Sequence, residues 1–194
     1  MRVLITGCYG QVGSCLTKQL ASNENTTVLA LDREHLDITN QDAVHTAVAE
    51  FQPTIIINAA AHTAVDKAEE EVDLSYAINR DGPKYLAQAA QSVGAAMLHI
   101  STDYVFEGNK VGEYVETDVT NPQGVYGQSK LAGEIAVAEA CEKHIILRTA
   151  WVFGESGNNF VKTMLRLGED RDALSIVGDQ FGGPTYAGDI ANTL

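Results

Sequence analysis

At 194 residues, with 45% hydrophobic and 20% charged side chains, the chain has the size and composition of one well-buried soluble domain, which excludes the disordered, collagenous and disulfide-framework classes. Lys and Arg number 13 against 26 Asp and Glu, and the resulting net charge of -13 argues against nucleic acid and anionic membrane as partners. A small phosphorylated ligand stays compatible with that field, because backbone N–H groups and one or two local cations hold a diphosphate at short range.

The chain opens directly on a strand pattern, Arg2–Thr6, leaving no room for a charged segment followed by an apolar one, and no run approaches the roughly 18 apolar residues of a membrane span. A cytoplasmic protein is expected. Cys8, Cys15 and Cys141 form no Cys-x-x-Cys pair and read as reduced core residues.

Short runs rich in Val, Ile and Leu follow one another at Val3–Ile5, Thr27–Leu31, Thr54–Ile57, Ala96–Ile100, Ile145–Leu147 and Leu174–Val177. They are continuous rather than alternating, as strands buried on both faces of a parallel sheet must be. Helical stretches lie between them at Gln11–Ser22, Gln41–Phe51, Leu74–Val93, Ser129–Lys143 and Phe160–Leu167. Strand and helix in alternation predict an α/β fold, a doubly wound Rossmann-type parallel sheet with helices on both faces. Thr39-Asn40 stands where the second helix needs a cap, and Gly94 stands where the third must stop. The irregular stretch Glu107–Gly124 is expected to be a loop over the carboxyl edge of the sheet, before a helix starting near Tyr126.

Directly after the first strand comes Gly7-Cys-Tyr-Gly10-Gln11-Val12-Gly13. Gly7 suits a tight turn, Gly10 a close approach of backbone to pyrophosphate, and Gly13 close packing of helix on strand. The spacing departs from the commoner G-x-G-x-x-G, so the strand before it and the helix after it carry the assignment. Asp32 ends the second strand, where a carboxylate accepts hydrogen bonds from adenosine ribose hydroxyls; the adjacent Arg33 suits a 2'-phosphate, leaving NADH and NADPH both open. After the third strand, Ala59-Ala60-Ala61-His62-Thr63 offers small residues against which a flat ligand can lie. His62 is expected at a cofactor contact; the other histidines, His35, His45, His99 and His144, show no ligand spacing, and most of them read as surface or strand-end residues.

Thr102 ends the fourth strand, and Tyr126 and Lys130 follow as an i, i+4 pair on one helix face. A phenol with a pKa near 10 is a sluggish acid at neutral pH, and a fixed ammonium beside it is expected to pull that value toward the working range. The Thr102 hydroxyl would complete a catalytic group by bonding the reacting oxygen.

With GCYGQVG, LDITN, NAAAHTAVDKAE, STDYVFEG, VYGQSKLAGE, LRTAWVFG and DQFGGPT in order along its whole length, the chain resembles the extended short-chain dehydrogenase/reductases and, among them, the dTDP-4-dehydrorhamnose reductases. The resemblance implies reduction of the C4 carbonyl of a dTDP-sugar, with Tyr126 as proton donor, Lys130 as its electrostatic and ribose-binding partner and Thr102 as the tuning hydroxyl. It implies that Gly10, Gln11 and Val12 line the pyrophosphate, Asp32 the ribose, Asp37 and Ile38 the adenine, and Ala61, His62 and Thr63 the middle of the cofactor. Thr102, Asp103, Tyr126 and Trp151 would contact the sugar. It also implies a longer protein, so that residues 1–150 form the cofactor domain and 151–194 the beginning of a substrate region. No carboxylate cluster matches a metal site, and a second copy of the chain is an assembly option. The alternatives are another nucleotide-sugar epimerase, dehydratase or reductase of the superfamily, Asp103 beside Thr102 being the kind of acidic residue dehydratases add, or a non-catalytic regulatory homologue.

Overall fold

In the computed structural model, which describes residues 1–194, a parallel sheet is built from β1 (Arg2–Thr6), β2 (Thr27–Leu31), β3 (Ile55–Asn58), β4 (Ala96–Thr102) and β5 (His144–Thr149). The strand order is β2-β1-β3-β4-β5. The order reverses between β1 and β3, and a crevice at the carboxyl ends of those strands is where such sheets hold ligands.

One face of the sheet is covered by α2 (Gln41–Phe51), α5 (Gly82–Val93) and α6 (Val125–Ala140). Leu4, Ile56, Leu86 and Met97 are fully buried there, each contributing about 1.5–3 kcal/mol by leaving water. The other face is covered by α1 (Gln11–Ala21) and, packed on it, α8 (Ala187–Thr193), whose Ile190 and Ala191 share a core with Val3, Ile5 and Leu16. The last residues thus belong to the same core as the first strand. Helix α8 lies beyond the boundary expected at residue 150.

The expected elements form with shifted ends. The single helix expected over Leu74–Val93 is α4 (Val72–Tyr76), a π-helical segment (Ala77–Asp81) and α5 in succession, preceded by a short α3 (Val65–Ala68). Helix α6, which carries Tyr126 and Lys130, begins at Val125, ahead of Ser129. Leu174–Val177 is not a strand: Leu174, Ile176 and Val177 are 36%, 55% and 64% exposed, and β5 is followed by no partner strand in that segment. The run pairs with no strand, although β5 is an edge strand of the sheet. Instead β6 (Val152–Phe153) and β7 (Thr185–Tyr186) form a two-stranded parallel sheet on either side of α7 (Phe160–Asp170). No helix is long and apolar enough to cross a membrane. Cys8 and Cys141 are buried, Cys15 is half-buried, and all are free thiols.

Helix α6 presses onto the π segment at Gly133, where an added Cβ would lie 2.0 Å from the Asn79 carbonyl oxygen. Backbone on backbone cannot give way cheaply, so Gly133→Ala is expected to lower stability by about 1–3 kcal/mol in urea unfolding. Gly168→Ala, in α7 with open space around it, should be neutral or slightly stabilising in the same assay.

Candidate active site

The loop from β1 to α1 owes its shape to missing side chains. Gly7 has φ +71°, and a Cβ there would meet Ala59 and Ala60 backbone at 2.7 Å; a Cβ on Gly13 would lie 2.1 Å from the Gly7 oxygen. The turn, the start of α1 and the exit of β3 are therefore stacked backbone on backbone. The Gly10 N–H closes the turn on the Gly7 oxygen at 2.9 Å.

Helix α1 begins at Gly10 with no capping side chain and no acidic residue in its first turn, whereas Asn40 and Asn159 cap α2 and α7. Its first N–H groups and the positive end of its dipole are left for a ligand, the arrangement that receives a diphosphate. Gly10, Gln11 and Val12 line a cleft of about 550 Å³, within the range of small-molecule sites. The same cleft brings together Ala61, Thr63, Thr102, Asp103, Tyr126, Lys130 and Trp151, contributed by segments far apart in the chain. Ser101 Oγ and Thr149 Oγ1, on cleft-lining residues at the ends of β4 and β5, are buried hydroxyls with no partner in the protein. Uncapped amides and unsatisfied hydroxyls on one cleft suit a ligand with both a phosphate and a polar head, such as a nicotinamide dinucleotide.

Asp32, Arg33, Asp37 and Ile38 lie outside the cleft proper, at and beyond the end of β2. The Asp32 carboxylate accepts the His35 N–H at 3.0 Å and contacts its Nδ1 at 2.6 Å, and these bonds hold it below the usual carboxylate range. The Asp37 carboxylate turns back on the Thr39 N–H and hydroxyl, at 2.9 and 2.7 Å. The Ile38 side chain is part of the core, against Gly82.

His62 departs from expectation. Its ring turns away from the cleft, with Nδ1 2.9 Å from Ser75 Oγ and Nε2 3.2 Å from Glu71. Its backbone is held instead by the buried Asn79 amide, whose Oδ1 accepts the His62 N–H at 2.8 Å and whose Nδ2 donates to the His62 oxygen at 3.0 Å. Asn79 Nδ2 also donates to Ser129 Oγ at 3.0 Å, tying this loop to α6. His99 also departs: it is fully buried within β4, not at a strand end or on the surface.

Tyr126 sits in the first turn of α6, its ring edge-on to Tyr104 with centroids 5.4 Å apart. The next residue, Gly127, lets the helix rest on the Tyr104 carbonyl, which a Cβ would strike at 2.2 Å. Burial pushes the Tyr126 hydroxyl up to about 12, while a hydrogen bond with Thr102 pulls the other way. The Lys130 Nζ donates to the Ile100 oxygen at 2.7 Å, in the floor of the sheet, and burial is the larger influence on the Tyr126 hydroxyl. Burial brings Lys130 itself down to about 8. Thr102 Oγ1 accepts the Tyr104 N–H and donates to Asp103, both at 3.2 Å; burial pushes the Asp103 carboxyl up. One turn beyond Lys130, Glu134 holds Arg148 of β5 in a two-pronged ion pair at 2.9 and 2.6 Å, fixing α6 against the sheet.

Sequence reading missed the wall opposite Tyr126. Gln11 Nε2 donates to the Val152 oxygen at 3.2 Å, and Asn159 Nδ2 bonds both Gln11 Oε1 at 3.0 Å and the Gly154 oxygen at 2.9 Å. Segment 152–159 is thereby latched onto the glycine turn. Asn159 directly before the apolar face of α7 was a legible cap signal; its reach to Gln11 was not.

The RmlD substrate binding domain family model matches residues 1–194. The dTDP-4-dehydrorhamnose reductase of Aggregatibacter actinomycetemcomitans is 56% identical over 193 residues, covering 100% of this chain and 66% of its own length. A dTDP-4-dehydrorhamnose reductase from Clostridium acetobutylicum superposes with a TM-score of 0.97 at 51% identity, over 100% of this chain and 68% of that one. The Bacillus anthracis dTDP-4-dehydrorhamnose reductase, solved in complex with NADP, gives 0.96 at 47% identity, over 99% and 68%. The chain thus spans about two thirds of the length of these relatives. Matched from end to end by the family model, and carrying the glycine turn and the Tyr126–Lys130 pair in one cleft, the chain belongs to the RmlD substrate binding domain family.

Proposed function

We propose that the full protein reduces the C4 carbonyl of dTDP-4-dehydro-L-rhamnose to dTDP-L-rhamnose with NADPH or NADH, the step that completes this activated sugar for cell-surface polysaccharide. The observation that carries the reading is one cleft in which an uncapped glycine turn, the Tyr126–Thr102 pair and Lys130 meet. Reductases of that name among the relatives supply the substrate class.

The first N–H groups of α1 bind the diphosphate, with Gln11 held in place by Asn159. The backbone of Ala61 and Thr63, fixed through the Asn79 clamp on His62, forms a flat floor beside it. When bound, the nicotinamide supplies the hydride. Tyr126 supplies the proton. Held at about 12, its hydroxyl stays protonated throughout the physiological range, and it remains a far stronger acid than water at roughly 15.7, so giving its proton to a developing alkoxide is downhill. Thr102, beside it, orients the same oxygen. Lys130, one helical turn away and also on the cleft, offers a positive charge to the phenolate left behind.

Tyr126→Phe is expected to lower kcat by at least about 100-fold with little change in NADPH Kd, since it deletes a transferable proton and leaves the ring. Retention of most of the activity would remove Tyr126 as the acid. The Lys130 charge is present below about pH 8 and lost above it, so kcat/KM should fall as pH rises through that value. In Lys130→Met this alkaline limb should vanish and the Kd for cofactor should rise; an unchanged limb would leave Lys130 a structural residue. Asp32→Ala should weaken NADH more than NADPH in parallel titrations, because only the unphosphorylated ribose gains from the carboxylate. Equal losses would restrict Asp32 to holding His35.

A further inference from the structure

Beneath the cleft a chain of buried polar groups crosses the sheet to Lys130. Thr6 of β1, Asn58 of β3 and His99 of β4 are at most 1% exposed, and Lys130 is 2% exposed. Asn58 Oδ1 receives the Ala60 backbone N–H at 3.1 Å and the Thr6 hydroxyl at 2.7 Å. A backbone N–H can only donate, so that oxygen is fixed, and the Asn58 amide must turn its NH₂ to His99 Nδ1, 3.1 Å away. His99 Nδ1 is then an acceptor. A neutral imidazole in that state carries its hydrogen on Nε2, and Nε2 faces the Lys130 Nζ at 3.5 Å.

An ammonium at that position would meet an N–H dipole with its positive end forward, whereas a neutral amine would offer a lone pair to it and still donate to the Ile100 oxygen. Taking reduction through Tyr126 and Lys130 as the reaction, we propose that His99 is a positioning residue: its ring, locked with hydrogen on Nε2 by Asn58, sets the N–H dipole against the Lys130 ammonium and eases loss of its proton while the Nζ stays on the Ile100 oxygen. Asp103, Tyr104 and Tyr126 share the cleft with Lys130, and Glu134 follows one turn on, bonded to Arg148 of β5. Glu134 favours the ammonium, but both its oxygens are engaged by Arg148. Burial and the neighbouring Lys130 hold the His99 ring neutral, in accord with the tautomer the hydrogen bonds require. His99 is thus coupled to the proton on Lys130 without touching substrate or cofactor.

Two-bond ¹H–¹⁵N spectra of protein labelled at its five histidines test the coupling without any assay of turnover. The resonances lost in His99→Asn identify the ring. They are expected to report hydrogen on Nε2 and none on Nδ1 from pH 6 to 9, with a shift that follows the Lys130 titration near 8 and disappears in Lys130→Met. Hydrogen on Nδ1, a protonated ring, or no inflection would overturn the proposal. In His99→Asn the Asn58 partner is kept and the Nε2–H is lost, so the alkaline limb of kcat/KM should move up by on the order of half a unit to one unit. An unmoved limb would overturn the positioning role even with the tautomer as expected. A ring that tracks Lys130 in a protein inactive on the sugar nucleotide would sink the reductase reading and leave the coupling intact.

Discussion

The buried amide of Asn79 holds the two halves of the cleft in register. Its oxygen and nitrogen grip both backbone polar groups of His62, so the loop after β3 has one conformation, and its second N–H reaches Ser129 in the helix that carries Tyr126 and Lys130. Leaving this amide half-paired in a fully buried position would cost several kilocalories, because each orphaned group would forfeit its hydration with nothing in return. The π-helical segment Ala77–Asp81 gives the site its geometry: the extra residue in that turn places Asn79 inward, and the glycine at 133 lets α6 approach its carbonyl. The loop after β3 and the helix that carries Tyr126 and Lys130 are therefore positioned by one buried side chain.

Charge is arranged on two scales. The chain as a whole is strongly acidic, at -13, yet the cleft presents helix-end N–H groups and one buried cation to an incoming dianion. Within about a Debye length such local groups outweigh distant carboxylates, so a diphosphate site of this kind needs no basic patch. The depressed proton affinity of Lys130 and the raised affinity of Tyr126 share one cause, burial, which disfavours the charged form of each.

Much of this was legible in the residues. The glycine turn, the alternating strands and helices, and the i, i+4 pairing of Tyr126 with Lys130 are local patterns whose periods and caps survive folding, and the cleft assembles from them. What was not legible depends on contacts between distant segments. His99 looks like any histidine near a strand end until Asn58 and Lys130 are seen on either side of it. His62 has the right position for a cofactor contact, but its ring is claimed by Ser75 and Glu71. Leu174–Val177 has strand composition but lies exposed and pairs with no strand, and the two short strands on either side of it, β6 and β7, are too brief to show a period. The depth of Tyr126 and the hold of the Ile100 carbonyl on Lys130 were not legible from the i, i+4 spacing of the pair.

The central claim is that the uncapped start of α1 and the small-residue floor form a nicotinamide dinucleotide site. The single tryptophan, Trp151, lines the same cleft and serves as the probe. Titration of this chain with NADPH should quench its emission saturably with one molecule bound, and Gly13→Val, which drives a side chain into the Gly7 carbonyl, should abolish the change while circular dichroism still reports a folded α/β protein. A Trp151 signal that does not respond to NADPH, together with no heat of binding by calorimetry, would contradict the account.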